Sequence, residues 1–144
     1  LKVFSITSNN PVVDVVLNQK YQAAQEHGIK MHVKVNDLST FSLKTNELVV
    51  LLSNLLDNAI EACVKLDGKR EIVCSIVQED GIYLSIRNTS APVKILHGEI
   101  ATTKEDTAEH GYGLPAVKYI LNRLHGEYTF AYRDGWFQFV AEIP

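Results

Sequence analysis

Val12, Val13, Val16, Leu17 and Tyr21 recur at helical spacing, i, i+1, i+4, i+5 and i+9, which places them on one face of a helix. Asn9, Asn10 and Pro11 stand before them, a capping residue followed by proline at the first helical position, and His27-Gly28 closes the run. Ile29, Met31, Val33 and Val35 then alternate with Lys30, His32, Lys34 and Asn36, the period of a half-buried strand. The strongest periodicity covers residues 45–66. On a wheel of about 100° per residue, Leu48, Leu51, Leu52, Leu55, Leu56, Ala59, Ile60, Ala62, Cys63 and Leu66 form one apolar arc. Asn46, Glu47, Ser53, Asn54, Asp57, Glu61 and Lys65 form the polar arc, with Asn58 at the boundary beside Leu51 and Ala62, and Asp67-Gly68 ends the element.

Two strands are expected next, over residues 71–78 and 82–87, joined by Asp80-Gly81 as a hairpin. Residues 89–112 hold no sustained period and are too long for an ordinary connection, so they read as a functional or mobile loop. Helical spacing returns over 113–124 with Val117, Ile120, Leu121 and Leu124, and a second hairpin turns at Asp134-Gly135 between residues 128–133 and 136–143. Short turns force antiparallel pairs while helices interleave. The expected fold is therefore an α/β two-layer sandwich, a mixed, mostly antiparallel sheet with helices on one face, as one domain over residues 1–144.

Composition narrows the function classes. With 46% apolar residues the chain can bury a core, and a net charge of -3 lacks the basic excess that nucleic acid or an anionic membrane surface demands. Neither is expected as a partner. Cys63 and Cys74 sit in apolar stretches without CxxC or histidine spacing, so buried free thiols in a reducing, cytoplasmic setting are expected. No run approaches the roughly 20 apolar residues of a membrane span. The chain opens at Leu1 without an initiator methionine, and is expected to be a piece of a longer protein.

Three places can carry chemistry. Asn54 and Asn58 put two carboxamides one turn apart on a helix that gains nothing in propensity from them, where their oxygens can serve magnesium beside substrate phosphates. His110-Gly111-Tyr112-Gly113-Leu114 is a glycine-rich turn opening into a helix, where free amides and the positive dipole end favour an anion. It is neither a P-loop nor a dinucleotide fingerprint. Arg87-Asn88-Thr89-Ser90 places an asparagine at a strand end, and a carboxamide can accept from the amine of adenine while donating to a ring nitrogen. Taken singly each also has a structural reading: a solvated helix face, a flexible loop, a turn-forming Asn. The match of Asn88-Thr89-Ser90 to a glycosylation acceptor is set aside, since nothing points to secretion.

The succession of these features in one mixed α/β domain resembles the ATPase superfamily of gyrase, Hsp90, histidine kinases and MutL (GHKL, or Bergerat fold). Within it the chain looks most like the catalytic ATP-binding domain of bacterial sensor histidine kinases of the peptide quorum-sensing, accessory-gene-regulator type, from about Asn10 to Ile143. The stretches that carry the resemblance are 54–63, Thr102-Thr103-Lys104 and 110–114. It implies ATP and Mg2+ as cofactors, Asn58 as the magnesium ligand and Asn54 as its catalytic companion one turn earlier. It assigns Asn88 to adenine, and His110, Gly111, Tyr112, Gly113 and Leu114 to the second glycine box. Residues 89–112 correspond to a mobile lid with Thr103 and Lys104 among its ATP contacts. The implied activity is protein-histidine kinase: the γ-phosphate passes to a histidine on a separate dimerisation domain, within a homodimer, and then to a response regulator. The resemblance places the domain on the cytoplasmic side of a membrane-anchored sensor. The chain's own histidines are not expected acceptors: His32 and His97 read as surface, His27 and His125 as helix ends, and His110 as part of the lid hinge. Two departures stand out, Asn88-Thr89-Ser90 where most relatives have Asp-x-Gly, and Glu61 where many have a basic residue. A nucleotide-dependent regulatory module, anti-sigma-factor-like or a degenerate kinase, and a hydrolysing ATPase are the alternatives.

Overall fold

The computed structural model describes residues 6–40, 43–101 and 114–144. Helix α1 (Pro11–Glu26) starts where the sequence signals it: Asn10 Oδ1 accepts from the amides of Val12 and Val13 at 3.1 and 3.2 Å, and Pro11 needs no partner. It stops at Gly28, whose φ of 66° lies in the left-handed region. Strand β1 (Lys30–Val35) follows and pairs in parallel with β2 (Glu71–Gln78), a geometry that needs a long crossover. Helix α2 (Thr45–Val64) is that crossover. β2 turns through Asp80 (φ 50°) and Gly81 (φ 130°) into β3 (Ile82–Thr89), and β6 (Glu127–Arg133) through Asp134 (φ 53°) and Gly135 (φ 86°) into β7 (Trp136–Ile143). The sheet order is β1-β2-β3-β7-β6, with every pair but the first antiparallel.

The expected sandwich is found. α2 packs between α1 and α3 (Leu114–Arg123) over one face of the sheet. The inner alternates Ile72, Cys74 and Ile76 of β2, Ile82, Leu84 and Ile86 of β3, and Phe139, Ala141 and Ile143 of β7 meet Leu48, Leu51, Leu52, Leu55, Leu56 and Cys63 of α2. Cys63 and Cys74 are free and buried, as expected, and burial pushes the Cys74 thiol up to about 12. Between about pH 9 and 12 the unfolded chain loses that proton first, so this group favours unfolding as pH rises through the window.

Four features differ from the sequence expectation beyond shifts of a single residue at element ends. α2 ends at Val64, not at Leu66, because Arg70 supplies its C-terminal partner: Nη2 donates to the Val64 carbonyl at 2.8 Å and Nε to that of Leu66 at 2.9 Å. The same guanidinium donates from Nη1 to the His27 carbonyl at 2.9 Å, closing α1 as well. β3 runs on to Thr89, since Asn88 pairs in register with both Ile72 and Phe137. Glu47 is buried rather than on a solvated arc, because α3 covers that edge and Arg123 pairs with it.

The fourth lies within the expected loop. Residues 95–96 (β4) and 99–100 (β5) form a small ribbon. It is fastened where periodicity cannot reveal it: the Phe130 amide donates to the Gly98 carbonyl at 2.8 Å, and Lys118 Nζ meets Glu99 Oε2 at 2.7 Å. Gly98 has φ 74°, and a Cβ there would lie 2.6 Å from Thr129 Oγ1. Gly98→Ala is expected to lose about 1–2 kcal/mol from the left-handed backbone alone, a fall of roughly 3–8 °C in melting temperature. Gly98→Asn should lose less, since Asn tolerates that region. Thermal unfolding checks the order, and an alanine variant as stable as the parent would mean that the ribbon does not depend on this turn.

Candidate functional site

A cavity of about 490 Å³ opens between α2, the inner side of β3 and β7, the chain after β3, and the first residue of α3. Helical spacing places Asn58, Ala62 and Lys65 along its α2 wall, with Leu55, Ala59 and Glu61 beside them. Strand alternation aims Ile86 and Asn88 at it from β3, and Phe137 and Phe139 from β7. The alanines matter by being small: a larger side chain at Ala59 or Ala62 would fill the space. Phe130 packs 5.7 Å from Phe137 and 5.3 Å from Phe139, centroid to centroid, and makes the floor aromatic.

The rim is polar. Asn88 is 2% exposed, and its Nδ2 donates to the Thr89 carbonyl at 3.0 Å. Ser90 holds the chain at the mouth: its amide donates to the Gly135 carbonyl at 2.9 Å, and its own carbonyl accepts from Tyr132 Oη at 3.0 Å. Lys65, at the end of α2, and Lys94, in the chain after β3, both line the cavity. Behind the sheet Trp136 lies between Lys69 and Arg87, at 5.1 and 4.7 Å from its ring centroid. Lys69, followed by His32, holds the Glu71 carboxyl below its usual range. A second depression, of about 430 Å³, lies at the far end of the sheet around the Asp80-Gly81 turn, and Glu79, Asp80, Glu127 and Glu142 give it an acidic lining unsuited to an anion.

Of the residues singled out in the sequence, Asn58, Asn88 and Leu114 line one cavity. Asn54 stands one turn before Asn58 on the same edge of α2, half-buried and outside the cavity wall. Thr103, Lys104, His110, Gly111, Tyr112 and Gly113 lie outside the described residues. His27, His32, His97 and His125 are exposed, and none of them lines the cavity. Sequence reasoning named Ser90 only as part of the 87–90 stretch, and did not single out Lys94 or the aromatic floor. Only the alternation of β7 could have found Phe137 and Phe139.

Whether these residues suit ATP and magnesium can be asked of the donors themselves. Among the described residues no three acidic, histidine or cysteine side chains converge as a metal cage. A divalent ion could stay only if a ligand brought its own oxygens, as magnesium does with phosphates, and Asn58 offers a neutral oxygen for the remaining position. An apolar, aromatic floor with a buried carboxamide and two rim cations suits a flat base joined to a polyanion. The donor set fits both groups.

A family model described as a GHKL domain matches residues 43–144. The chain belongs to the GHKL domain family. This GHKL domain is similar to sensor histidine protein kinase HK06 of Streptococcus pneumoniae, 28% identical over 130 residues that cover 83% of this chain and 28% of that protein. It is also similar to sensor histidine kinase DpiB of Escherichia coli, 29% identical over 126 residues, 80% of this chain and 23% of that protein. The chain thus spans about a quarter of the length of these curated relatives. Among solved structures, the nucleotide-free catalytic domain of histidine kinase ThkA superposes with a TM-score of 0.74 at 20% identity, covering 100% of this chain and 97% of that one. Full-length ShkA in complex with AMPPNP gives 0.64 at 16% identity, over 100% of this chain and 31% of that one. At such identities the structures establish the shared fold, which is that of histidine kinase catalytic domains.

Proposed function

We propose that this GHKL domain binds magnesium-ATP and presents its γ-phosphate to a histidine on a separate dimerisation domain of a sensor histidine kinase, for relay to a response regulator. The observation that carries the reading is the single cavity that joins Asn58 and buried Asn88 to an apolar floor and two rim lysines. In this reading Asn88 accepts from the adenine amine through Oδ1, while the bond from its Nδ2 to the Thr89 carbonyl fixes the plane of the carboxamide. The base lies against Ile86 and Phe137, and Lys65 and Lys94 offset phosphate charge that Glu61 does not. Magnesium, held by Asn58 and the phosphates, would neutralise charge on the transferring group. Residues 89–112 act as the lid, anchored at its start by the β4–β5 ribbon, with Thr103, Lys104 and the 110–114 turn completing the ATP contacts. The chain acts as one domain, 1–144, on the cytoplasmic side of a membrane-anchored, homodimeric sensor. The resemblance carried by 54–63, 102–104 and 110–114 is what suggests the peptide quorum-sensing, accessory-gene-regulator type, with Glu61 and neutral Asn88 as departures from most histidine kinases.

Transfer breaks the bond between the γ-phosphorus and the β–γ bridging oxygen and forms a phosphorus–nitrogen bond, which requires the acceptor nitrogen in line at the γ-phosphate. With labelled ATP and magnesium, the isolated chain is expected to remain unlabelled, and a supplied dimerisation segment carrying the parent's histidine is expected to gain acid-labile phosphate. Acid-labile phosphate on any of the chain's five histidines would overturn this division of labour.

A further inference from the structure

Outside the cavity the helical layer contains, among the described residues, one buried charge that stability alone does not explain. Glu47, in the first turn of α2, is 9% exposed, and its Oε2 pairs with Arg123 Nη2 in the last turn of α3. Its Oε1 is buried with no hydrogen-bond partner among the described residues. Both helix dipoles favour the pair, with the acid near an N-terminus and the base near a C-terminus. Even so, an ion pair whose acid is buried and half-satisfied, with the Arg123 side chain 40% exposed, is commonly no more stable than apolar side chains of similar size. Val117, Ile120 and Leu121 already supply apolar packing for α3. The pair adds direction, because it resists sliding and rotation that a greasy contact permits.

That direction bears on the cavity. At 100° per residue, Glu47, Asn54, Asn58 and Lys65 fall within about 40° of one another, so one edge of α2 faces Arg123 at its start and the cavity further on. α3 runs antiparallel along this edge: Arg123 lies at the Glu47 end, and Leu114 lines the cavity with Asn58 and Ala62. The brace and Asn58 stand roughly 16 Å apart along α2. We propose that Glu47 and Arg123 are a positioning pair that fixes the angle and register of α3 against α2, and through Leu114 the width and nucleotide affinity of the cavity. This rests on the reading of the cavity as a nucleotide site.

The test uses Glu47→Gln, Arg123→Gln and the double variant of the whole chain, titrated with AMPPNP and magnesium by calorimetry well below each variant's melting temperature. Each single variant is expected to bind about 5- to 20-fold more weakly, the range of a modest coupling energy. The double variant should be no weaker than the weaker single, because one broken brace cannot be broken twice. Singles that melt earlier yet bind as tightly as the parent would make the pair structural only and overturn the proposal, as would losses that simply add. If the parent chain itself binds no AMPPNP, the nucleotide reading falls and takes this proposal with it. Binding by the parent that is unchanged in the variants sinks the positioning role alone.

Discussion

Replacing Asn58 with alanine is expected to leave the chain folded while lowering its affinity for magnesium-ATP by about 10- to 100-fold, the scale of losing one group that orients a bound metal. The fold should tolerate the change because Asn58 is only half-buried and alanine is the better helix former. Affinity should not tolerate it, because no acidic, histidine or cysteine cluster among the described residues could take over the ion. The loss should shrink when the titration is repeated in chelator, since the metal is then missing for parent and variant alike. An Asn58→Ala chain with parental melting temperature and parental affinity in magnesium would sink the assignment of this residue.

Steady-state hydrolysis of ATP by the chain is expected to stay barely above background, because the position one turn before Asn58 is a carboxamide. General-base hydrolysis would need a group there that takes a proton from the attacking water. Asn54 has no basic lone pair at neutral pH, and general-base assistance is typically worth about 10²- to 10⁴-fold. The other carboxylates of α2 are committed or displaced. Glu47 is buried against Arg123, Asp57 holds Lys20 at 2.7 Å, and Glu61 lies two turns beyond Asn54. Glu61 does line the cavity, so turnover is best compared in the parent, Asn54→Ala and Glu61→Gln. Brisk turnover retained in Asn54→Ala would favour a true ATPase, and its loss in Glu61→Gln would then name the base.

Elements with a short-range cause were legible in the sequence. The α1 start follows from Asn10-Pro11, the two hairpins from Asp-Gly dipeptides that accept positive φ, and α2 from ten apolar positions on one arc. Asn58 and Asn88, which both line the cavity, were legible as candidate site residues because a carboxamide in a helix or at a strand end is unusual enough to need a reason. What stayed hidden depends on partners distant in sequence. Glu47 looks solvated until α3, some seventy residues later, covers it. Arg70 closes two helices at once, and neither helix announces it. The β4–β5 ribbon has two residues per strand, too few for a period, and exists because Gly98 and Glu99 find β6 and α3. Tyr128 feels the same closure: burial and the charge of Glu99 raise its hydroxyl above the ordinary range.

The cavity floor is also the hydrophobic core. Leu55, Ala59, Ile86, Phe130 and Phe139 belong at once to the buried cluster and to the lining. Any change that reshapes the floor must therefore unsettle the fold, and natural variation has little freedom there. The rim is different: Glu61, Lys65, Ala91, Pro92 and Lys94 are exposed and lie outside the buried cluster. Descendants of this domain can drift in how tightly they hold a ligand by substitution at the rim, while the shape of what they accept is inherited with the core.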